Sequence, residues 1–360
     1  MKPRKFHIFD LPSNLYLFLD DKFRYKFFNT AIIKEGSLTK LTKRLKLKYH
    51  QYIYYWKIGK QLIPLKYLKK LYELIKKDFS ITEIERNIIY VRAKRGFSVN
   101  ITLPIKENIN IIKIVAHLIG DGFGGSKRNQ AAYFNKNKKV LEDFKMSLES
   151  LGNIPVTKIG NLLRFPKIVA DILSHIYKIK FGTFESKLPL VLFRLPRRYT
   201  IAFISAFIDD EGSVNYSRID FNSSNLKLLR GIRKLIFYKF PSYSLSKISG
   251  KRAFRFSLSS QNICEFNKLN MILHSDKCKK LELFYKIHRL DNRRDKNNFS
   301  KNKILYILNK QPLTAIELSE RLLISPNTIR DKHLKILCKM NLVKAIRQKD
   351  GANLFILNRS

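Results

Sequence analysis

The sequence predicts a duplicated α/β (α+β) fold, in which two similar halves lie between an N-terminal helical segment and a C-terminal winged-helix segment. An apolar helical run ending in an acid and a glycine occurs twice, as IVAHLIGDG from Ile114 and as ISAFIDDEG from Ile204. After each copy come a strand ending in Phe-Asn, a helix, a hairpin pattern around a glycine and a final helix. Because several elements repeat in the same order, we predict an internal repeat with pseudo-two-fold αββαββα architecture.

The segment before the repeat is predicted to be an N-terminal helical, helix-turn-helix-like domain over residues 1–80. Gly36-Ser37 precedes a short helix at 38–45, and an aromatic and basic helix follows at about 49–56. A small helical bundle that only packs against the next domain explains this pattern equally well. Residues 81–109 are predicted to be a β-rich connector.

The segment after the repeat is predicted to be a winged helix-turn-helix domain over residues 303–360, joined by a polar linker at 288–302. Thr314 and Glu317 have the spacing of a capping box, and a second helix starts at Asn327 or Thr328. A hairpin wing turns at Asp350-Gly351. Because the second helix is basic, we expect DNA rather than a protein partner. Its predicted DNA-binding residues are Asn327, Arg330 and Lys332.

The composition indicates a nucleic-acid partner. The chain has 71 Lys and Arg against 28 Asp and Glu, a formal net charge of +43, and a polyanion would offset that repulsion. The lysine usage of an AT-rich genome accounts for part of the excess. The three cysteines form no CxxC pair, and no apolar stretch reaches the length of a membrane span. We therefore expect a cytoplasmic, nucleoid-associated prokaryotic protein with no membrane contact.

Two acids hold equivalent places in the repeat. Asp121 and Glu211 stand 90 residues apart (211 − 121 = 90), each at the predicted C-terminal end of a helix. A single Asp-Gly is only a helix stop, but duplicated halves bring equivalent residues to one axis. Small residues spaced four apart would let the two helices pack closely. These helix-packing residues are Ala116, Gly120, Ala202 and Ala206.

Two carboxylates at two helix C-termini repel each other unless a cation lies between them. Oxygen ligands with open water positions suit Mg²⁺ or Mn²⁺. We therefore predict a metal site at Asp121 and Glu211, with Gly120 and Asp210 beside them. A metal there could activate water and offset the charge on a phosphate.

The two runs IVAHLIGDG and ISAFIDDEG resemble the two copies of the LAGLIDADG motif of homing endonucleases, with Asp121 and Glu211 at the motif's second Asp. The similarity covers roughly residues 105–285, divided into a first repeat at 110–190 and a second at 191–287. It implies a saddle of two four-stranded antiparallel sheets over duplex DNA. It also implies cleavage of both strands across the minor groove with Mg²⁺ bound by the motif acids.

The resemblance further implies that Asn135 and Lys136 lie near the scissile phosphate as catalytic residues. In the second copy, Asn222 and Ser223 stand at that place without the lysine. Two residues depart from the motif. His117 replaces the usual Leu and is predicted to be structural, and Asp210 replaces a small residue and could face solvent at the helix end.

Basic side chains of the repeat are the candidates for binding DNA, since alternation along strands directs a set of them to one face. For each one alone, a solvated basic face is an equal alternative. The set is Lys127, Arg128, Lys158, Arg164, Arg218, Lys247, Arg252 and Arg255.

The predicted function is a monomeric, site-specific, Mg²⁺-dependent endonuclease of the homing type, acting on double-stranded DNA. The alternative is a catalytically silent protein of the same fold, either a transcription regulator or an RNA-splicing maturase with RNA as its partner. Acids retained in both copies favour the nuclease.

Overall fold

The computed structural model describes residues 3–94, 96–125, 129–182, 184–215, 218–258, 272–291, 299–348 and 351–358. The chain divides into two compact units, Met1–Glu211 with Ser223–Lys239, and Gly212–Asn222 with Phe240–Ser360. Helices and several small antiparallel sheets alternate along both, which confirms the predicted mixed α/β class. The saddle remains a prediction. Among the described helices, none is both long and apolar enough to cross a membrane.

The N-terminal part of the first unit combines helices with a small sheet. Its helices are α1 (Asp21–Glu35), α2 (Leu38–Arg44), α3 (Gln51–Lys57), α4 (Leu65–Ile75) and α5 (Ile81–Arg86). Its strands are β1 (Lys5–Phe6), β2 (Tyr16–Leu19), β3 (Ile63–Pro64) and β4 (Ile88–Arg92), of which three form a sheet in the order β3-β2-β4. The segment predicted to be helical over 1–80 therefore contains four α-helices and also three short strands within its described residues. The predicted connector is wrong in part, because it contains α5 and because β4 belongs to this sheet.

The first copy of the repeat follows in the same unit. Its helices are α6 (Ile109–Ile119), α7 (Lys138–Glu149) and α8 (Lys167–Tyr177). The strands of this region are β5 (Asn100–Ile101), β6 (Ile105–Lys106), β7 (Gly122–Phe123), β8 (Gln130–Phe134), β9 (Gly152–Asn153), β10 (Thr157–Ile159) and β11 (Leu162–Pro166). Four strands make an antiparallel sheet in the order β10-β11-β8-β7. Its inner face buries Tyr133, Leu163 and Phe165, and Phe144 of α7 lies beside Tyr133 and Phe165.

Within the described residues, the second copy shares the order helix, strand, strand, helix, strand with the first. It comprises α9 (Arg197–Glu211), β12 (Gly212–Val214), β13 (Ile219–Ser223), α10 (Leu226–Lys239) and β14 (Phe254–Leu258). The sheet runs β12-β13-β14, and bridges from Leu245 to Leu258 and from Ser249 to Arg255 continue it. The predicted closing helix over 262–273 falls mostly outside the described residues. A helix α11 (Ser275–Asp291) follows it.

The two copies match in a register that differs by one residue from the sequence prediction. Gly122 pairs with Tyr133 across β7 and β8, and Gly212 pairs with Phe221 across β12 and β13. Tyr133 therefore corresponds to Phe221, whereas the sequence comparison paired Phe134 with Phe221. Burial explains the error: Tyr133 and Phe221 are both fully buried, while Phe134 is 45% exposed. Composition alone does not show which of two adjacent aromatic residues faces the core.

The helices that follow confirm this register. Asn137 accepts the N–H of Val140 at the start of α7, and Asn225 accepts the N–H of Leu228 at the start of α10. Two residues earlier, Asn135 and Ser223 each accept the N–H of that capping asparagine. The counterparts of Asn135 and Lys136 are thus Ser223 and Ser224, and the second copy still lacks the lysine.

The C-terminal part of the second unit is a helix-turn-helix with a hairpin. It comprises α12 (Phe299–Lys310), β15 (Leu313–Thr314), α13 (Ala315–Leu322), β16 (Val343–Arg347) and β17 (Asn353–Leu357), with strand order β15-β17-β16. Pro326–Thr328, the π-helical Ile329–Leu334 and Lys335–Lys339 run on from one another, and we call them α14. The predicted capping box is present, because Thr314 and Glu317 each accept the other's backbone N–H.

The predicted boundaries of this part need two corrections. The linker at 288–302 is wrong at both ends, since α11 continues to Asp291 and α12 starts at Phe299; residues 292–298 lie outside the described residues. Lysine and arginine are good helix formers, so polar composition does not exclude a helix there. The helix predicted to start at Asn327 or Thr328 starts at Pro326, with Ser325 as N-cap, the usual place for a first-turn proline.

Candidate active site

The site forms where the C-terminal ends of α6 and α9 meet within the first unit. A methyl group added at Gly120 would lie 2.7 Å from Oδ2 and 2.9 Å from Cβ of Asp210. Gly120, which ends α6, is therefore required for this approach of the two chains. The three alanines predicted to help the helices pack, Ala116, Ala202 and Ala206, are all buried.

This contact determines where the two motif acids lie. Asp121 follows Gly120 directly, and Glu211 follows Asp210 directly, so each acid is one residue from the contact. Asp121 is exposed, and its carbonyl accepts the N–H of Phe134 at 3.4 Å. Glu211 is half-buried and is the last residue of α9. The fold thus brings the two carboxylate-bearing residues to the same end of the helix pair.

A buried polar network lies beneath the two acids. The side chains of His117 and Asp210 are 1% and 0% exposed, with Nδ1 of His117 3.0 Å from Oδ2 of Asp210. The hydroxyl of Tyr133 donates to Oδ1 of Asp210 at 2.5 Å, and Nδ2 of Asn135 donates to the same oxygen at 3.1 Å. Asn135 also donates to the Tyr133 hydroxyl at 3.2 Å. The network therefore connects α6, β8 and α9.

The electrostatics of the network favour an ionic pair. Burial, the largest single influence, lowers the pKa of His117, but the carboxylate of Asp210 and the charges of Asp209 and Asp143 outweigh it. The pKa of His117 is raised above its ordinary 6.5 as a result. Burial and the neighbouring Asp210 raise the pKa of Tyr133 far above its ordinary value. Tyr133 therefore keeps its proton and acts as a donor.

Two predictions about this region are corrected by the network. The Asp210 side chain does not face solvent, and its oxygens accept hydrogen bonds from Tyr133, Asn135 and His117, so it is not placed to bind a metal. Asn135 is 5% exposed, and its amide holds Asp210, Tyr133 and the N–H of Asn137. Its amide therefore holds its neighbours in place, and its catalytic role stays a prediction. Lys136, the next residue, is exposed.

Tyr133 is the residue of this site that sequence reasoning missed. Two signals could have found it. The first signal is its position two residues before Asn135 on the predicted strand, which places both side chains on one face. A buried tyrosine hydroxyl there requires a hydrogen-bond partner. The second signal is that partner. Asp210 within an apolar helix is an acceptor that requires donors in the same way.

The donor set at the helix ends fits a hard divalent cation. Among the described residues, no group of three or more His, Cys, Asp or Glu side chains has metal-binding geometry. Mg²⁺ does not need such a group, because it binds through one or two carboxylates and retains several waters. Asp121 and Glu211 therefore fit Mg²⁺ or Mn²⁺, whereas a structural zinc site would need four protein ligands.

The predicted DNA-binding residues of the first unit do not share one face of the sheet. Arg164 pairs with Thr157 and Ala132, whereas Lys158 pairs with the buried Leu163. Side chains alternate along a strand, so Arg164 projects outward and Lys158 projects towards the inner face at the edge strand. The prediction of a common face is wrong for Lys158. Lys127 and Arg128 lie outside the described residues.

In the second unit, Arg218 is partly committed to the protein itself, because its Nε lies 3.0 Å from Asp220. Asp220 also accepts the Asn215 amide and the Ser257 hydroxyl. Other predicted DNA-binding residues of this unit are exposed: Lys247, Arg252, Arg255, Asn327, Arg330 and Lys332. In α14, Nε of Arg330 donates to Asp331 at 2.8 Å and holds the pKa of that carboxyl below its ordinary value.

The raised pKa of His117 predicts a pH dependence of stability. The charged His117–Asp210 pair stabilises the fold fully below the unfolded pKa of about 6.5, and this contribution is lost as the pH rises through the folded pKa. We expect the midpoint of thermal unfolding to fall over that window more steeply in the wild type than in His117→Asn, which does not titrate. Identical pH profiles of the two proteins would contradict the ionic pair.

The C-terminal region matches a family model, HTH_5, described as "Bacterial regulatory protein, arsR family", over residues 300–345. This match confirms the predicted helix-turn-helix there. No curated protein matches the chain.

Solved structures show low similarity to the chain. The homing endonuclease I-DmoI in complex with DNA and Ca is 13% identical with a TM-score of 0.36, covering 49% of this chain and 99% of that one. The homing endonuclease I-WcaI bound to its DNA recognition sequence is 13% identical with a TM-score of 0.35, covering 47% and 85%. Full-length DUF199/WhiA from Thermatoga maritima is 12% identical with a TM-score of 0.35, covering 66% and 93%.

Proposed function

We propose that the protein is a metal-dependent endonuclease that cuts both strands of a specific double-stranded DNA site. The observation that carries this proposal is the contact of Gly120 with Asp210, which brings Asp121 and Glu211 to one end of the α6–α9 pair. Both acids belong to one chain, so we propose that a monomer is active.

Each side chain of the site has a distinct proposed role. Asp121 and Glu211 would hold Mg²⁺ or Mn²⁺, which would supply an activated water and offset phosphate charge. Lys136, exposed next to the network, neutralises charge on the phosphate that is cut. Asp210, His117, Tyr133 and Asn135 fix the two helix ends against each other and touch no substrate.

The charge of the chain supports DNA as the substrate. A net charge of +43 favours binding to a polyanion, and phosphate contacts supply most of the sequence-independent affinity for DNA. Exposed Arg252 and Arg255 in one unit and half-buried, outward-facing Arg164 in the other are candidates for these contacts.

The test is cleavage of a randomised duplex library by the full chain with Mg²⁺ or Mn²⁺. We expect a small set of sequences to be cut on both strands, and EDTA to stop the reaction. Tight binding to the library with no cut product under either metal would overturn the proposal.

A transcription regulator is the second candidate, and the family match at residues 300–345 favours it. In that case the same experiment yields selected duplexes that are bound but not cut. Loss of selection in a chain carrying Arg330→Ala and Lys332→Ala would then assign the sequence preference to α14.

A further inference from the structure

A long basic segment of the N-terminal part has no role in the proposed cleavage. From Gly36 to Tyr72 the sequence contains ten Lys and Arg residues and no Asp or Glu. This segment forms α2, α3, β3 and α4. Nine of its cations are exposed and Lys57 is half-buried, so the charge lies on the surface.

These cations are poorly compensated by the protein. Among the described residues, Arg44 is the one cation of these ten that has an ion pair. Its Nη1 lies 3.0 Å from Oε2 of Glu35. Two cations just outside the segment are paired, Lys34 with Asp78 and Lys76 with Glu73. Because like charges held together repel, a surface of this kind is stabilised by an anionic partner.

Exposed aromatic side chains lie among the cations. Tyr49, Tyr52 and Tyr54 are 47%, 39% and 51% exposed, although a tyrosine ring is largely apolar. Lys48 lies 5.1 Å from the Tyr49 ring centre, and Tyr52 stacks on the buried Trp56. Aromatic rings interleaved with lysines suit contact with nucleic acid, where phosphates and apolar base and sugar surfaces alternate.

The surface is held rigidly by buried residues. Ile53 and Trp56 anchor the inner side of α3, and Leu41 and Leu45 anchor α2. The buried Arg24 of α1 donates to the carbonyl of Lys57 at 3.0 Å, which fixes the end of α3.

The turn between the two helices has a defined geometry. Lys46 adopts a left-handed conformation with φ 55°, and the N–H of Leu47 returns to the carbonyl of Thr42 at 3.1 Å, which ends α2. The chain then enters α3 with Gln51, Tyr52 and Tyr54 exposed. A helix, a turn and an exposed second helix are the elements, in the same order, of the motif that places a recognition helix in the major groove of DNA.

We propose that α2, the turn and α3 form a second binding surface for double-stranded DNA, separate from residues 300–345 and from the motif acids. Lys43, Lys46 and Lys48 contact phosphates. Gln51 and Tyr52 face the base edges. The proposal goes beyond cleavage, because it assigns a binding role to a part of the chain that the nuclease site does not include.

The test measures binding by the full chain to a 40-base-pair duplex in EDTA over a series of salt concentrations. The variant K43Q/K46Q/K48Q removes three charges from the surface, and K138Q/K139Q/K145Q removes three from α7 as the matched control. Each lost phosphate contact lowers the slope of log affinity against log salt by about 0.9. We expect the surface variant to lose up to about 2.7 in slope and about tenfold or more in affinity, and the control to stay near the wild type.

Further arms separate the possible partners. Single-stranded DNA, single-stranded RNA of the same sequence and phosphatidylserine vesicles replace the duplex, and the variant is expected to lose most on the duplex. Gln51→Ala with Tyr52→Ala is expected to relax the preferred sequence while leaving the salt slope unchanged. Equal slopes for surface and control variants, or a larger loss on RNA or vesicles, overturn the proposal. The experiment measures binding and no cutting. A negative result would therefore refute the α2–α3 binding surface without testing the nuclease proposal.

Discussion

Asp121→Asn is expected to reduce cleavage by more than about 100-fold, with Glu211→Gln having the same effect, while affinity for the DNA site stays close to the wild type. Even residues that only orient metal ligands change metal affinity or activity by about 10- to 100-fold, so loss of a ligating carboxylate costs at least as much. Both substitutions keep the shape of the side chain, and Asp121 is exposed, so the fold tolerates them. Cut product from the selected duplex measures the rate, and binding in Ca²⁺ measures affinity.

Glu149→Gln is the matched control, since Glu149 is an exposed acid that ends α7 and belongs to neither motif. It is expected to cut at the wild-type rate. The two motif substitutions are expected to be non-additive, because either one removes a ligand from the same site. Retention of more than a tenth of the activity in either motif variant would contradict the assignment of the acids.

The positions of the motif acids could be predicted from sequence because the information is local and occurs twice. The acid-glycine ends of α6 and α9 follow apolar helical runs whose length and spacing repeat, and repetition identifies equivalent residues without knowledge of the fold. The capping box of Thr314 and Glu317 is local in the same way, so it too was predicted correctly.

What could not be predicted depends on contacts between residues far apart in the chain. β2 pairs with β4 across about 70 residues, and no turn signal joins them, so the N-terminal sheet was missed. The predicted match between the two copies failed at Tyr133 and Phe134 of the first copy, where only burial distinguishes two neighbouring aromatics. Asp210 was placed at the surface because its donors, Tyr133 and Asn135, come from another element.

The buried network leads to the second large prediction, which concerns stability. Asp210→Ala removes the acceptor shared by Tyr133 and Asn135 and leaves His117 buried without its charged partner. Breaking a buried ion pair on one side costs about 3–5 kcal/mol, so we expect a fall of that size in the free energy of unfolding. Urea unfolding followed by far-UV circular dichroism measures it.

The informative comparison is a triple variant, His117→Leu with Tyr133→Phe and Asp210→Ala, which replaces three of the four polar side chains of the network by apolar ones. Removing both partners of a buried polar interaction is often close to neutral, so the remaining cost comes mainly from the Asn135 amide, which loses its acceptors on Tyr133 and Asp210. We therefore expect the triple variant to be more stable than the single variant Asp210→Ala. We also expect it to cut DNA faster than that single variant. A triple variant whose loss of stability equals the sum of the three single losses would contradict coupling.

The cutting activity of the triple variant distinguishes two purposes of the network. If the triple variant folds stably yet cuts at the low rate of Asp210→Ala, the hydrogen bonds themselves hold Asp121 and Glu211 in the active geometry. If it cuts at the wild-type rate, the network only fills the interface between α6 and α9, and the Gly120 contact alone positions the acids.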